Sequence, residues 1–227
     1  MIQTLCLFLI IFLPSLINAS VNVGIGKTDI TPPIGTPSAG YTERKGEGMQ
    51  GVHDPLLAIA LFINNGEKKI ALCSVDHLGF TYEMVKIIAE QVHRHEELSG
   101  CEVYIASSHT HSGGGGYLNI PLLGESLAGS YSAEVTDFYI AQTAAAIIQA
   151  SQNQMPAKIG IGYGKTENLS QYRGLWPTNI SPLNDVTIIK VTRMDDTPVA
   201  VLFNYPVHPI LFNRSPSCLS GDEAGSR

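Results

Sequence analysis

Two histidines one residue apart, His109-Thr110-His111, stand between an apolar run, Val103-Tyr104-Ile105, and the turn Ser112-Gly113-Gly114-Gly115-Gly116. On an extended backbone, residues two apart share a face, so both imidazoles would point into one space. Neutral imidazoles so placed can hold a metal ion or an oxyanion, and glycines without Cβ atoms would let backbone N–H groups approach a ligand. The same pattern also fits histidines that are merely hydrogen-bonded in a strand. A third histidine follows another apolar run, Ala200-Val201-Leu202-Phe203-Asn204, in Tyr205-Pro206-Val207-His208-Pro209, where proline limits the freedom of the backbone. Taken together, His109, His111 and His208 suggest a metal site, and zinc is the ion that such ligands suit. A catalytic zinc keeps one position for water and lowers its pKa to about 7, which makes it a nucleophile toward an amide or ester carbonyl. Two or three histidines leave the shell incomplete. Asp54, Asp76 and Asp222 are candidates to fill it, although each also reads as a turn or capping residue.

The elements that must position these residues can be read from period and punctuation. Residues 21–30 read as a first strand closed by Thr31-Pro32-Pro33, since proline cannot continue a ladder. Residues 34–54, rich in Gly and charge, read as a long surface loop of the kind that is functional or mobile. Residues 56–63 and 69–75 form a strand pair around Asn64-Asn65-Gly66-Glu67. Residues 82–97 read as a helix burying Val85, Ile88, Ala89 and Val92, with His93 and His95 as solvated residues at its end. The strand 101–107 delivers His109 and His111. A second helix, 132–152, would bury Val135, Phe138, Ala141, Ala145 and Ile148, and strands follow at 157–163, 185–192 and 199–204. Strands interleaved with two good helices imply an α/β (mixed α+β) layered domain with a mixed sheet flanked by helices.

Composition narrows the function. The net charge is −6, with 14 Lys and Arg against 20 Asp and Glu and no basic run, which argues against a nucleic-acid partner. Residues 1–19 carry an apolar core ending at Asn18-Ala19 and read as a signal peptide, so residues 20–227 are expected to be secreted, extracellular or periplasmic. The charge-free start of that segment leaves a signal anchor as the second reading. Cys73, Cys101 and Cys218 remain after cleavage, too few for a disulfide framework; Cys73 and Cys101 either pair or stay as buried thiols. Two G-K-T segments, Gly24-Ile25-Gly26-Lys27-Thr28 and Gly162-Tyr163-Gly164-Lys165-Thr166, lack the upstream glycine of a phosphate loop, which argues against a nucleotide. Gly124-Glu125-Ser126-Leu127-Ala128-Gly129 is one residue too long for a serine elbow.

Five blocks in one order resemble the N-terminal part of the catalytic domain of neutral ceramidases, zinc amidases that cleave ceramide into sphingosine and a fatty acid. They are Val23-Gly24-Ile25-Gly26-Lys27-Thr28-Asp29-Ile30-Thr31-Pro32-Pro33, Gly51-Val52-His53-Asp54-Pro55-Leu56, Ser74-Val75-Asp76-His77-Leu78-Gly79, His109-Thr110-His111-Ser112-Gly113 and Asn204-Tyr205-Pro206-Val207-His208-Pro209. The resemblance implies that His109 and His208 are Zn2+ ligands and that His111 stays off the metal, hydrogen-bonding the substrate carbonyl or the attacking group. It also implies an active-site arginine, matched here by Arg173, that binds the acyl oxygen electrostatically. The implied partner is a ceramide-like lipid substrate at a membrane surface.

The sequence departs from the family at Gly114, where proline is usual, and at Ser220-Gly221-Asp222, where Ser-Ala-Asp is usual. In the family a Glu and a Tyr ligand and a serine implicated in catalysis follow at positions beyond Arg227, so a polypeptide of these 227 residues is expected to be weakly active or inactive alone. Two other readings stay open: a non-catalytic remnant or binding module of the same fold, and another metal-dependent amide or ester hydrolase with both His109 and His111 on the ion. The sequons at Asn168, Asn179 and Asn213 are usable only in a host that glycosylates secreted proteins.

Overall fold

The computed structural model describes residues 21–167, 169 and 183–210, and the backbone of residues 218 and 219. Its strands are β1 (Val21–Asp29), β2 (Gly51–Val52), β3 (Leu57–Asn64), β4 (Lys69–Val75), β5 (Glu102–Ser107), β6 (Met155–Lys165), β7 (Asp185–Arg193), β8 (Pro198–Asn204) and β9 (Cys218–Leu219). Its helices are α1 (Tyr82–His93), α2 (Leu123–Ala128) and α3 (Ala133–Gln152). Seven strands form one sheet in the order β5-β4-β3-β1-β6-β7-β8, and β2 pairs with β9 in a parallel bridge. Only β4 and β5 run parallel within the large sheet, because α1 carries the chain from one to the other; the other pairs are antiparallel. The sheet is therefore mixed, as the pattern of strands and helices implied.

Both long helices start at a cap that the sequence announces. The Thr81 hydroxyl accepts from the Met84 N–H at 3.2 Å, and the Ser132 hydroxyl accepts from the Val135 N–H at 3.3 Å. Helix α1 is shorter than its period suggests. It stops at His93, and residues 96–98 form a separate 3-10 turn because His95 takes an extended conformation. Its buried residues are Met84, Ile88 and Val92, spaced four apart, with Val85 and Ala89 only half-buried.

Helix α3 corrects part of the expected buried face: Val135, Phe138 and Ile148 are half-buried against the core, but the two alanines are not. Ala141 and Ala145 are exposed, while Tyr139, Ile140, Thr143, Ala144, Ala146, Ile147 and Ala150 are buried. The cause lies in β1. An ideal Cβ on Gly24 would sit 3.0 Å from the Ala150 carbonyl carbon, and one on Gly26 would sit 2.6 Å from the Ala150 nitrogen. Bare glycines let the helix backbone rest on the strand, so small side chains face the sheet rather than the largest apolar ones. The first G-K-T segment lies inside β1, and the second runs along the end of β6, with Thr166 just beyond it.

The sheet doubles back on itself. Only the first three residues of β6 pair with β1, after which the β6-β7-β8 ribbon continues without it. Val23 and Leu61 of β1 and β3 share one buried cluster with Ala157 and Val191 of β6 and β7, and Leu72 of β4 and Val199 of β8 pack on it. Those last two strands stand near opposite edges of the hydrogen-bonded order. The end of β8 thereby returns to the end of β5, which strand order alone would not bring together.

Candidate functional site

The parallel pair β4 and β5 delivers two chain ends side by side. The Ser108 N–H donates to the Val75 carbonyl at 2.9 Å, and the His109 N–H donates to the His77 carbonyl at 3.0 Å. His109 then turns into the left-handed region, φ 62, which a side chain other than glycine occupies only when its surroundings hold it there. His109 and His111 thus do not share a face of an extended strand, as their spacing suggested. The strand ends at Ser107, and it is the turn after it that brings the rings to within 5.1 Å, centroid to centroid.

His208 completes the group. Its ring centroid lies 5.2 Å from that of His109 and 4.6 Å from that of His111, and its Nε2 is 2.7 Å from Nε2 of His111. The His111 N–H also donates to the Pro209 carbonyl at 3.4 Å, tying the two segments together by main chain. One ligand nitrogen from each ring lies within 4.8 Å of the others, and His109 and His208 are exposed while His111 is half-buried. All three candidate histidines named from the sequence converge on one point that solvent reaches.

The ring of His109 is fixed by a second contact. Its Nδ1 lies 2.6 Å from the Leu78 carbonyl, which can only accept, so Nδ1 carries the proton and Nε2 presents a lone pair. His111 is held well below the usual imidazole range, at about 4, first by burial and then by repulsion from His208 and His109, with the Gly40 backbone acting in the opposite direction. That ring is a neutral donor of lone pairs at physiological pH. The donor set, three convergent imidazoles, is one that divalent zinc favours over hard ions such as calcium or magnesium.

The candidate carboxylates lie elsewhere. Asp76 is buried, and its Oδ2 accepts from the Leu57 N–H at 3.0 Å. Burial raises it to about 6, partly opposed by that hydrogen bond and by Lys27. Asp54 pairs with His53 at 2.7 Å on the surface. Neither joins the histidines, because each has its polar atoms engaged in local structure; Asp222 and Arg173 lie outside the described residues. Neighbouring His77 is fully buried among Phe80, Tyr117 and Tyr139, and burial drives it down to about 3, so it is a neutral core residue. His93 closes the end of α1, its Nε2 being 2.8 Å from the Cys101 carbonyl, and His95 sits 3.8 Å from Glu97. Cys73 and Cys101 are both buried free thiols.

The glycine run serves packing rather than ligand approach. The Gly115 N–H donates to the Pro37 carbonyl at 2.6 Å and the Gly116 N–H to the Ala128 carbonyl at 2.7 Å, while a Cβ on Gly114 would meet the Tyr139 hydroxyl. Three residues of the 34–54 loop were not singled out from the sequence and touch His111: Gly40, Tyr41 and Arg44. Loop length was the only signal that pointed there.

Residues 21–227 match the family described as neutral/alkaline non-lysosomal ceramidase, N-terminal. Over 227 residues the chain is 25% identical to neutral ceramidase A of Dictyostelium discoideum, a match covering 92% of this chain and 31% of that protein. Over 112 residues it is 33% identical to the neutral ceramidase of Drosophila melanogaster, covering 47% of this chain and 16% of that one. In three dimensions it superposes on the crystal structure of neutral ceramidase from Pseudomonas aeruginosa with a TM-score of 0.79 at 18% identity, covering 89% of this chain and 34% of that one; at such identity the likeness speaks to the fold. The chain spans about a third of the length of the curated relatives that it matches over most of its own length. With a family match over the whole described region, the chain belongs to the neutral/alkaline non-lysosomal ceramidase family and represents its N-terminal part.

Proposed function

We propose that the chain is the N-terminal part of a zinc-dependent amidohydrolase that cleaves the N-acyl amide bond of ceramide to sphingosine and a fatty acid. The observation that carries this reading is the convergence of His109, His111 and His208 within 4.8 Å, in a chain of the ceramidase family. His109 and His208 are assigned to the ion. The proton on Nδ1 of His109, held by Leu78, leaves Nε2 as its ligand atom. Bound there, zinc would polarise the acyl carbonyl and lower the pKa of water for attack. His111 is assigned to the substrate: a neutral ring beside the ion can hydrogen-bond the acyl oxygen or take the proton of the attacking water and return it to the departing amine. Arg173 would add positive charge at the acyl oxygen. In the overall change the amide C–N bond breaks, water oxygen joins the acyl carbon, and the amine leaves with a proton.

Two histidines leave room in the shell for a further ligand as well as water, and in this reading the 227-residue polypeptide turns over weakly or not at all by itself. Residues 1–19 are assigned as a secretion signal, which would place the protein outside the cytoplasm, where a lipid substrate is met at a membrane surface. A second reading is favoured by the grouping of the three rings, one ligand nitrogen of each of His109, His111 and His208 lying within 4.8 Å of the others. In it all three imidazoles hold the metal. Metal analysis and hydrolysis of N-acylsphingosine by the zinc-supplemented protein test the proposal. About one zinc per chain, lost in His109→Ala, supports it; absence of zinc binding at neutral pH would overturn it.

A further inference from the structure

The loop before β2 carries a buried cation that no step above uses. Arg44 is 3% exposed and ends a 3-10 turn, Thr42–Arg44, that reverses at Lys45 with φ 51. Its Nη1 lies 2.9 Å from the Ser38 hydroxyl, 3.2 Å from the Ala39 carbonyl and 2.6 Å from the His111 carbonyl. The guanidinium also stands 4.7 Å from the centre of the Tyr41 ring, and Tyr41 meets the His111 ring edge-on at 5.0 Å.

Gly40 supplies the floor. At φ 111 its Cα faces the imidazole, and a Cβ there would lie 2.7 Å from both Cγ and Nδ1 of His111 and 2.9 Å from its Cα. On the preceding residue, the Ala39 N–H donates to the Gly113 carbonyl at 3.0 Å. The main chain of His111, its ring and the turn after it are thus each touched by a different residue of one seven-residue segment. A buried guanidinium persists only where its donors are met, so Arg44 and the loop conformation require each other.

We infer that residues 38–44 form a positioning cradle for His111, in which Arg44 anchors the backbone and Gly40 sets the distance of the ring. None of these residues belongs to the histidine group itself, so the role is positioning. It rests on the reading of that group as the functional centre. Its chemical meaning is that a ring within 2.7 Å of its partner loses the contact if the loop lets it move by about 1 Å.

Diethyl pyrocarbonate labelling read by mass spectrometry, on the full metal-free chain, tests this. In Arg44→Met and Gly40→Ala the acylation rate at His111 is expected to rise about tenfold, with Arg44→Lys intermediate because it restores charge but not the planar fork. The rate at His95, in the extended link between α1 and the 3-10 turn, should not change. Unaltered His111 reactivity in the folded variants overturns the inference, and so does an equal rise at His95, which would mean general loosening. If Arg44→Met does not fold, Gly40→Ala and Arg44→Lys decide by the same criteria. Added Zn2+ should slow labelling of the wild-type histidines; if it does not, the metal reading fails while the metal-free comparison still judges the cradle.

Discussion

Nε2 of His208 lies 2.7 Å from Nε2 of His111, across 97 residues of sequence. At this distance one imidazole donates a proton to the lone pair of the other, and both rings would face a shared zinc only after the two nitrogens part to about 3.3 Å, the spacing of tetrahedral ligands. Substitution separates these cases. His109→Ala and His208→Ala should each weaken zinc binding by more than about a hundredfold, by loss of a direct ligand. His111→Ala should keep one zinc per chain and lose hydrolysis, in whatever form of the protein turns over, if His111 serves the substrate. Loss of zinc in that variant, measured by titration against a chromophoric chelator, would establish the three-histidine shell.

Asp76 and His77 give neighbouring groups with opposite acid responses. His77 is lowered in the fold from 6.5 to about 3, so the unfolded chain holds its proton more tightly, and stability present above pH 6.5 is lost as pH falls toward 3. Asp76 is raised from 3.8 to about 6, so the fold holds its proton more tightly, and stability is greatest below 3.8 and falls as pH rises through 6. Each slope is about 1.4 kcal/mol per pH unit, and from pH 4 to 6 they nearly cancel. Urea denaturation across that window should show little dependence in the wild type from this pair. Asp76→Asn should lose stability on acidification below 6.5, and His77→Phe, though less stable throughout, should gain stability from pH 6 to 4. Parallel profiles for the two variants would contradict the assignment.

The two G-K-T segments predict unequal tolerance of a methyl group. Gly26→Ala drives a Cβ into the backbone of α3 and should cost about 3 kcal/mol of unfolding free energy. Gly162→Ala has nothing within 4 Å and should stay within about 0.5 kcal/mol of the wild type. Thermal or chemical denaturation of the pair checks this, and equal losses would refute the close seating of α3 on β1.

Cys73 is buried in β4, and burial pushes its thiol up to about 12. At pH 8 it should not react with Ellman's reagent until the chain unfolds, because the thiolate is the reactive form. Rapid labelling of Cys73 in the native protein would show that the helix face of the sheet opens.

The sequence by itself determined the long helices, the main strands and the family. Thr81 and Ser132 announced α1 and α3, Thr31-Pro32-Pro33 closed β1, and the ordered blocks ending in His109-Thr110-His111 and Val207-His208-Pro209 carried the resemblance that the family match bears out. These are local signals, set by capping, proline chemistry and residue order. What only the tertiary structure decided depends on contacts that no local period encodes. Gly24 and Gly26 chose the face of α3, the left-handed turn at His109 aimed the two rings, and the folding back of β6-β7-β8 brought His208 to them. Arg44 is legible in the sequence as one more charged loop residue; it became a buried anchor of His111 because the loop folds around its donors. Close approach, ring direction and burial of a charge arise between segments distant in the chain, and packing alone fixes them.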